Sequence, residues 1–350
     1  MLKSHNSSLK AIALPGQLDT RLKLLQGWLG AHLGAEAFRL EPASADASFR
    51  RYFRVTVDGA RSLIAMDAPP EREDCRPFVR VAALLRAAGV NAPQVIAQDL
   101  ERGLLLLTDL GDTTYLAALK EDNADRLIGD AIEALIRWQL ASREGTLPPY
   151  DEAALRRECS LFPEWYVARH LGLRLSGAQS EALADAVTRV VTRSLSQPAV
   201  FVHRDYMPRN LMVTDPNPGV LDFQDAVYGP ITYDIASLTR DAFMSWEEER
   251  VIDWTARYWE KARARGLPVD PDFGAFYRAF EWTGLQRHLK VLGIFARIHY
   301  RDGKSGYLED TPRFLGYART VARRYRELAP LARLLDEIGR REPATAGNGK

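Results

Sequence analysis

The sequence predicts an α+β fold with two lobes, a small strand-rich N-terminal lobe and a larger, mainly helical C-terminal lobe. The chain has 350 residues, and at about 150 residues per domain this suggests two units. Strand-like alternation with turn signals is concentrated before residue 110, whereas helical periodicity dominates after it. We therefore expect lobes over 18–109 and 110–341, with a flexible N-terminus at 1–17 and a disordered tail at 342–350.

The composition argues against several classes of protein. With 47 basic and 46 acidic residues the net charge is +1, so general nucleic-acid binding is not expected. No apolar stretch approaches the ~18 residues of a membrane span, and 1–17 lacks the apolar segment of a signal peptide. Cys75 and Cys159 form no CxxC pair, which favours two reduced thiols over one disulfide. We expect a cytoplasmic protein with no membrane association and no evident obligate protein partner.

The predicted N-terminal lobe alternates helices with hairpins. Asp19 is predicted to cap a first helix, whose apolar residues have spacings of three and four: Leu22, Leu25, Trp28 and Leu29. Period-two alternation and turn signals such as Asp58–Gly59 predict strands over 49–57, 62–66, 94–98 and 104–108. A second helix is predicted over 74–88, with Gly89 at its end.

One strand-rich segment interrupts the predicted helices of the C-terminal lobe. Residues 200–225 read VFVHRDYMPRNLMVTDPNPGVLDFQD, in which three short apolar runs flank a polar loop and a turn. A rigid scaffold places catalytic groups at such strand ends and loops. The polar residues in these positions are His203, Asp205, Asn210 and Asp222.

The spacing of these four residues is typical of phosphoryl transfer. His203-Arg204-Asp205, four residues and then Asn210 reproduce the H-R-D-x-x-x-x-N loop of kinases, and Asp222-Phe223 follows twelve residues later. A carboxylate can accept the proton of an acceptor hydroxyl, and amide and carboxylate oxygens suit Mg²⁺. A single Asp or His in a loop is usually a turn or cap residue, but four at fixed spacing favour a catalytic site.

Together with the downstream YGPITYDIASL, this segment resembles the aminoglycoside phosphotransferase family, the small-molecule relatives of protein kinases. The resemblance implies a protein-kinase-like fold that uses ATP and Mg²⁺, with Asp205 as catalytic base and Asn210 and Asp222 as metal ligands. It also implies that Asp234 braces the catalytic loop, although an ordinary helix N-cap is an equal alternative. His203 is expected to pack and to form hydrogen bonds rather than to carry a proton.

The resemblance extends to the nucleotide site. TDLGD at 108–112 matches the hinge between lobes, where the backbone of Asp109 and Leu110 would pair with adenine; a buried edge strand with a turn is compatible with this role. The loop ADASF at 45–49, with Ser48 and Phe49, stands where the family has a glycine-rich loop over the phosphates.

The sequence departs from the family on the strand SLIAM. Members carry a lysine there, paired with a glutamate on the next helix; here Met66 takes that position, and the helix has acids only at its start. Arg51 shares a strand face with Phe49 and Phe53, so we expect it to reach the ATP phosphates instead. The alternative is that its guanidinium extends to solvent at the edge of the lobe.

One branch of the family fits best. The catalytic segment, MDAPP and RIHYRDGKSGYLEDTPRFLGY resemble kinases that phosphorylate the anomeric hydroxyl of N-acetylmuramate and N-acetylglucosamine in bacterial peptidoglycan recycling. Arg301, Lys304 and Tyr307 are candidates to bind this sugar substrate, with a solvated loop slightly favoured instead.

Two other functions stay open at this point. The first is a kinase of an aminoglycoside or amino alcohol; the many basic residues in 285–326 favour a neutral or anionic sugar over a polycation. The second is a nucleotide-binding protein without catalysis, which the missing lysine at Met66 makes conceivable.

Overall fold

The computed structural model describes residues 15–34, 38–45, 49–59, 61–241 and 243–341. Its N-terminal part is an antiparallel five-stranded sheet with the strand order β1-β2-β3-β5-β4. The strands are β1 (Phe38–Ala45), β2 (Arg51–Val57), β3 (Arg61–Asp67), β4 (Val95–Asp99) and β5 (Leu104–Thr108). Helix α1 (Pro15–Leu33) precedes the sheet, and α2 (Arg76–Ala87) connects β3 to β4.

The two helices cover opposite faces of the sheet. Leu25 and Leu29 of α1 pack in one apolar cluster with Val55 and Ala65. Met66, the next residue along β3, belongs to a second apolar cluster, which includes the apolar side of α2. Because successive side chains of a strand point to opposite faces, both faces of this sheet are buried. The α2 face is continuous with the core of the rest of the molecule.

The remainder of the described chain is mainly helical, as expected from its periodicity. The helices are α3 (Tyr115–Ala118), α4 (Ala124–Leu140), α5 (Glu152–Leu161), α6 (Gly177–Leu195), α7 (Tyr233–Thr239), α8 (Glu248–Ala264), α9 (Phe273–Asp302), α10 (Thr311–Arg324) and α11 (Ala329–Gly339). A π-helical segment, Phe162–His170, continues α5. Helix α9 packs closely against the end of α5: a β-carbon at Gly293 would collide with the backbone of Leu161.

Two short antiparallel ribbons hold the segment that carries the candidate catalytic residues. The ribbons pair β6 (Ala199–Val202) with β9 (Val227–Pro230), and β7 (Leu211–Met212) with β8 (Gly219–Val220). The predicted order of strand, loop, strand, turn and strand is therefore present.

The predicted α+β class, with a strand-rich N-terminal part and a helical C-terminal part, is confirmed, while some boundaries differ. Helix α1 begins at Pro15, so Asp19 lies inside the helix and is not its N-cap. Strand β1 was not predicted, because Pro42 and the small residues around it have low strand propensity. Residues 1–14 and 342–350, predicted to be flexible, lie outside the described residues. Within the described part of the chain, no helix combines the length and apolarity needed to cross a membrane.

Candidate active site

Asp234, in the first turn of α7, binds the backbone of the candidate catalytic loop. Its two carboxylate oxygens accept hydrogen bonds from the backbone N–H groups of His203, at 2.7 Å, and Arg204, at 3.0 Å. Arg204 has a φ of 76°, a left-handed conformation that is costly for a residue with a side chain. The N-cap of α7 is Thr232. The contacts of Asp234 are thus those of a brace and not of a helix cap.

His203 links the two segments that carry Asp205 and Asp222. Its Nε2 lies 3.0 Å from the carbonyl oxygen of Leu221, and its Nδ1 lies 3.3 Å from the backbone nitrogen of Asp205. A neutral ring that donates from Nε2 and accepts at Nδ1 satisfies both bonds. Burial lowers the pKa of His203 to about 4, so the ring is neutral at physiological pH.

Asn210 and Asp222 have oxygen atoms suited to a hard cation. The Nδ2 of Asn210 donates to the carbonyl of Asp205, at 2.9 Å, and to Oδ2 of Asp222, at 3.3 Å. Its Oδ1 accepts no hydrogen bond from the described residues. Gln224 donates to Oδ1 of Asp222 at 2.9 Å.

These oxygens fit Mg²⁺ better than a metal that needs a full protein cage. No group of three or more His, Cys, Asp or Glu residues that could hold a metal occurs in the ranges that the structure describes. Mg²⁺ is usually bound by one or two carboxylates, with water and substrate phosphates as its other ligands. The donor set of Asn210 and Asp222 agrees with that mode of binding.

The Asp205 carboxylate is partly exposed and forms no ion pair or hydrogen bond with the described residues. Its neighbour Arg204 is paired with Glu158, and Lys290 Nζ lies 3.1 Å from the same carboxylate. Burial opposes the ionisation of Glu158, but these two cations lower its pKa to about 2. Arg204 is therefore fixed, while the carboxylate of Asp205 is available to a substrate hydroxyl.

The sequence alone does not predict the Glu158–Lys290 pair. Glu158 lies on α5, and Lys290 lies in the buried middle of α9. A lysine within a buried apolar helix requires an acidic or hydrogen-bonding partner. The position of Lys290 in such a helix is the one sequence feature that indicates a buried ion pair. The identity of that partner could not be read from the sequence, because the two residues are 132 positions apart, as 290 − 158 shows.

On the nucleotide side, Asp109 and Leu110 follow β5, where the chain enters the helical region. The Asp109 carboxylate accepts hydrogen bonds from Nε of Arg54, at 2.7 Å, and from the hydroxyl of Ser62. Burial opposes ionisation of Asp109, but these hydrogen bonds lower its pKa. Leu110 packs on the β7–β8 ribbon, where Gly219 leaves room for its side chain.

The loop that would cover the phosphates is only partly described. Ser48 lies outside the described residues. Phe49 is 57% exposed, and the guanidinium of Arg72 lies 4.6 Å from the centre of its ring. The backbone N–H of Phe49 donates to Glu73 at 3.3 Å, which connects this loop to the segment before α2.

Arg51, predicted to reach the ATP phosphates, is engaged by an acid of the neighbouring strand. Its Nε donates to Oδ2 of the buried Asp67 at 2.9 Å, and Arg21 of α1 donates to Oδ1 at 3.0 Å. These residues lie on the α1 face of the sheet. The catalytic segment meets the α2 face, where the rings of Phe223 and Phe78 are 4.8 Å apart. Arg51 is thus an ion-pair partner of Asp67 and is not directed to Asp222.

The three predicted sugar-binding residues differ in their surroundings. Arg301 is exposed and donates to its neighbour Asp302 at 2.7 and 3.0 Å. Lys304 is partly exposed. Tyr307 lies in a 3₁₀ helix, Ser305–Asp310, and its ring centre is 5.9 Å from the guanidinium of Arg209 on the catalytic loop. Of these contacts, the one formed by Tyr307 reaches the catalytic loop.

Comparison with known proteins gives close relatives and distant structural neighbours. The chain is 55% identical over 330 residues to the N-acetylmuramate/N-acetylglucosamine kinase of Pseudomonas aeruginosa, covering 91% of this chain and 97% of that protein. The enzyme of the same name from Neisseria meningitidis is 51% identical over 318 residues, covering 90% and 95%.

The fold is shared with kinases of low sequence identity. A Plasmodium vivax ethanolamine kinase superposes with a TM-score of 0.61 at 11% identity, covering 88% of this chain and 91% of that one. An ADP-bound aminoglycoside phosphotransferase gives a TM-score of 0.55 at 14% identity, covering 84% and 97%. The family model described as "Phosphotransferase enzyme family" matches residues 39–269. The chain therefore belongs to the phosphotransferase enzyme family.

Proposed function

We propose that this protein is an ATP-dependent sugar kinase that phosphorylates the anomeric hydroxyl of N-acetylmuramate and N-acetylglucosamine, in the cytoplasm, during peptidoglycan recycling. The observation that carries the proposal is 51–55% identity to kinases named for both sugars, over about nine-tenths of each chain. The arrangement of Asp205, Asn210 and Asp222 supports phosphoryl transfer independently of those names.

In this proposal the nucleotide lies between the five-stranded sheet and the segment 200–225. The backbone of Asp109 and Leu110 would pair with the adenine edge, and Ser48 and Phe49 would lie over the phosphates. Asn210 and Asp222 would hold Mg²⁺, which when bound neutralises charge on the phosphates. Arg51 has no role toward the nucleotide here, because Asp67 engages its guanidinium.

The chemical step needs little more than correct positioning of the two substrates. The anomeric oxygen forms a bond to the γ-phosphorus, and the bond from that phosphorus to the β–γ bridging oxygen breaks, which releases ADP. The hydroxyl proton passes to the carboxylate of Asp205, which accepts no competing hydrogen bond from the described residues. Asp234 and His203 keep the loop in the conformation that presents this carboxylate.

Product analysis tests the proposal. We would incubate the protein with ATP, Mg²⁺ and either sugar and follow the products by ³¹P NMR. The expected result is an anomeric phosphate from both sugars and no reaction with a methyl glycoside of N-acetylglucosamine, whose anomeric position is blocked. Efficient phosphorylation of the methyl glycoside would overturn the assignment of the anomeric hydroxyl. Turnover of aminoglycosides or amino alcohols, with none of the sugars, would overturn the substrate class.

A further inference from the structure

Arg209 is a charged residue of the catalytic loop that the proposed mechanism does not use. It directly precedes Asn210 in a short 3₁₀ turn, Pro208–Asn210. Asn210 itself is buried and bonded to the Asp205 carbonyl, whereas the Arg209 side chain is exposed. The turn therefore directs Asn210 inward to the candidate metal site and leaves the side chain of its neighbour Arg209 facing solvent.

Two aromatic rings hold the Arg209 guanidinium. Its central carbon lies 4.9 Å from the centre of the Phe243 ring and 5.9 Å from that of Tyr307. These rings belong to segments far apart in sequence, and Tyr307 packs in turn on Phe295 of α9. Contacts of a guanidinium with aromatic rings restrict the arginine side chain without using its N–H donors, which stay available to a ligand.

No acid of the described chain forms an ion pair or hydrogen bond with Arg209. Acids on the flanking segments have other partners. Asp241 accepts a hydrogen bond from the backbone of Phe243 at 3.0 Å, and Asp310 pairs with Arg313 at 2.7 Å. By contrast, the neighbouring Arg204 is paired with Glu158.

We propose that Arg209 binds the carboxylate of an acidic amino sugar and is the specificity-determining residue for that class of substrate. The inference rests on the proposed function. N-acetylmuramate differs from N-acetylglucosamine by a lactyl ether that carries a carboxylate, and a guanidinium binds a carboxylate with two parallel hydrogen bonds. The rings of Phe243 and Tyr307 restrict the guanidinium before the sugar arrives, which lowers the entropy cost of binding.

In this role, Arg209 should affect the kinetics of the acidic sugar and not those of the neutral sugar. A neutral sugar gains nothing from the guanidinium, so its kinetics should not depend on residue 209. For the acidic sugar, loss of a charge-assisted contact should raise KM by about 10- to 100-fold with little change in kcat. Arg301, which is bonded to Asp302, is expected to contribute less to this discrimination.

The experiment compares KM and kcat for both sugars in the wild type, Arg209→Gln, Arg209→Lys and a control. Arg333→Gln is a matched control, because Arg333 is an exposed arginine of α11 and the change removes the same charge. We expect Arg209→Gln to raise KM for N-acetylmuramate alone and Arg209→Lys to recover part of the loss. Arg333→Gln should behave as the wild type does with both sugars.

The experiment distinguishes failure of the inference about Arg209 from failure of the proposed function. A wild type that phosphorylates neither sugar would overturn the proposed function and this inference with it. A wild type active on both, with Arg209→Gln impaired equally on both or on neither, would overturn the inference alone. If Arg209→Gln fails to fold, Arg209→Met keeps an unbranched side chain between the two rings, and the same comparison of the two sugars then decides.

Discussion

The Asn210 side-chain nitrogen lies 3.3 Å from the carboxylate of Asp222. The same nitrogen donates to the carbonyl of Asp205, so one amide group joins the proposed base to the proposed metal ligand. The amide oxygen is left without a hydrogen bond from the described residues. Because these three positions are coupled through one side chain, substitutions at each of them should have different and separable effects.

Asp222→Ala should abolish Mg²⁺-dependent binding of ATP, because it removes a carboxylate ligand and leaves Asn210 as the remaining protein ligand of the proposed site. Isothermal titration of ATP with Mg²⁺ and with EDTA measures this. Asp225→Ala, which removes an exposed acid three residues away, should bind as the wild type does. Equal Mg²⁺-dependent affinity in Asp222→Ala and the wild type would contradict the metal-ligand role.

Asp205→Asn should retain the fold and the binding of Mg·ATP but lower turnover by ~10²–10⁴-fold, the usual contribution of a general base. The asparagine preserves shape and cannot accept the hydroxyl proton. Single-turnover kinetics with either sugar, together with circular dichroism, separate catalysis from folding. Near-full activity in this variant would mean that the proton leaves by another path.

Asp234→Asn should lower kcat equally for both sugars and destabilise the protein by about 1–3 kcal/mol. Asparagine has one acceptor oxygen, and its NH₂ group would face one of the two backbone N–H groups that Asp234 now binds. The backbone of Arg204, which has a left-handed conformation, would then lose stabilisation by hydrogen bonding. Denaturant unfolding and steady-state kinetics measure both effects, and a selective effect on one sugar would argue against a brace.

His203→Gln should remove one contribution to the pH dependence of the unfolding free energy, the one between about pH 4 and 6.5. The pKa of the buried ring is lowered to about 4, whereas an unfolded histidine titrates near 6.5. Unfolding therefore takes up a proton in this range, and the stability that the neutral ring contributes is present above pH 6.5 and lost as the pH falls to 4. Burial raises the pKa of Asp234 to about 7, an opposite contribution that is present in both proteins.

Urea unfolding of the wild type and His203→Gln across that pH range tests this expectation. The difference in unfolding free energy between the two proteins should change by up to about 3 kcal/mol, since each pKa unit corresponds to about 1.4 kcal/mol. Parallel pH profiles would show that the titration of His203 is not coupled to folding.

Arg51→Ala should leave KM for ATP close to the wild-type value and lower the free energy of unfolding by about 1–3 kcal/mol. The reason is that Arg51, 23% exposed, shares the fully buried Asp67 with Arg21. Thermal denaturation and ATP kinetics on one preparation measure both quantities. A large rise in KM for ATP at unchanged stability would restore the role in phosphate binding that the sequence predicts.

The contrast between Arg51 and the catalytic segment shows what sequence can establish. Asp205, Asn210 and Asp222 lie within one strand–loop–ribbon unit, so local spacing was sufficient to bring them together. For Arg51, period-two alternation gives the residues that share its face but not which face meets the active site. Here α1 and α2 cover both faces, and the assignment depends on contacts between distant segments.

Arg209 was overlooked for a related reason. It fills a variable position of the H-R-D-x-x-x-x-N pattern, so the motif gives it no role. Its significance comes from Phe243 and Tyr307, which reach the loop from segments 34 and 98 residues later, as 243 − 209 and 307 − 209 show. Contacts of that range are set by the packing of whole helices.

The covering of the sheet by α1 has a practical consequence for handling the protein. Leu25, Trp28 and Leu29 shield an apolar face of five strands, and Arg21 is bonded to Asp67 beneath them. A truncation that removes α1 would expose this face to water and leave strand edges beside it, a combination that promotes self-association. We expect such a shortened protein to precipitate on expression even though every residue of the candidate active site is retained.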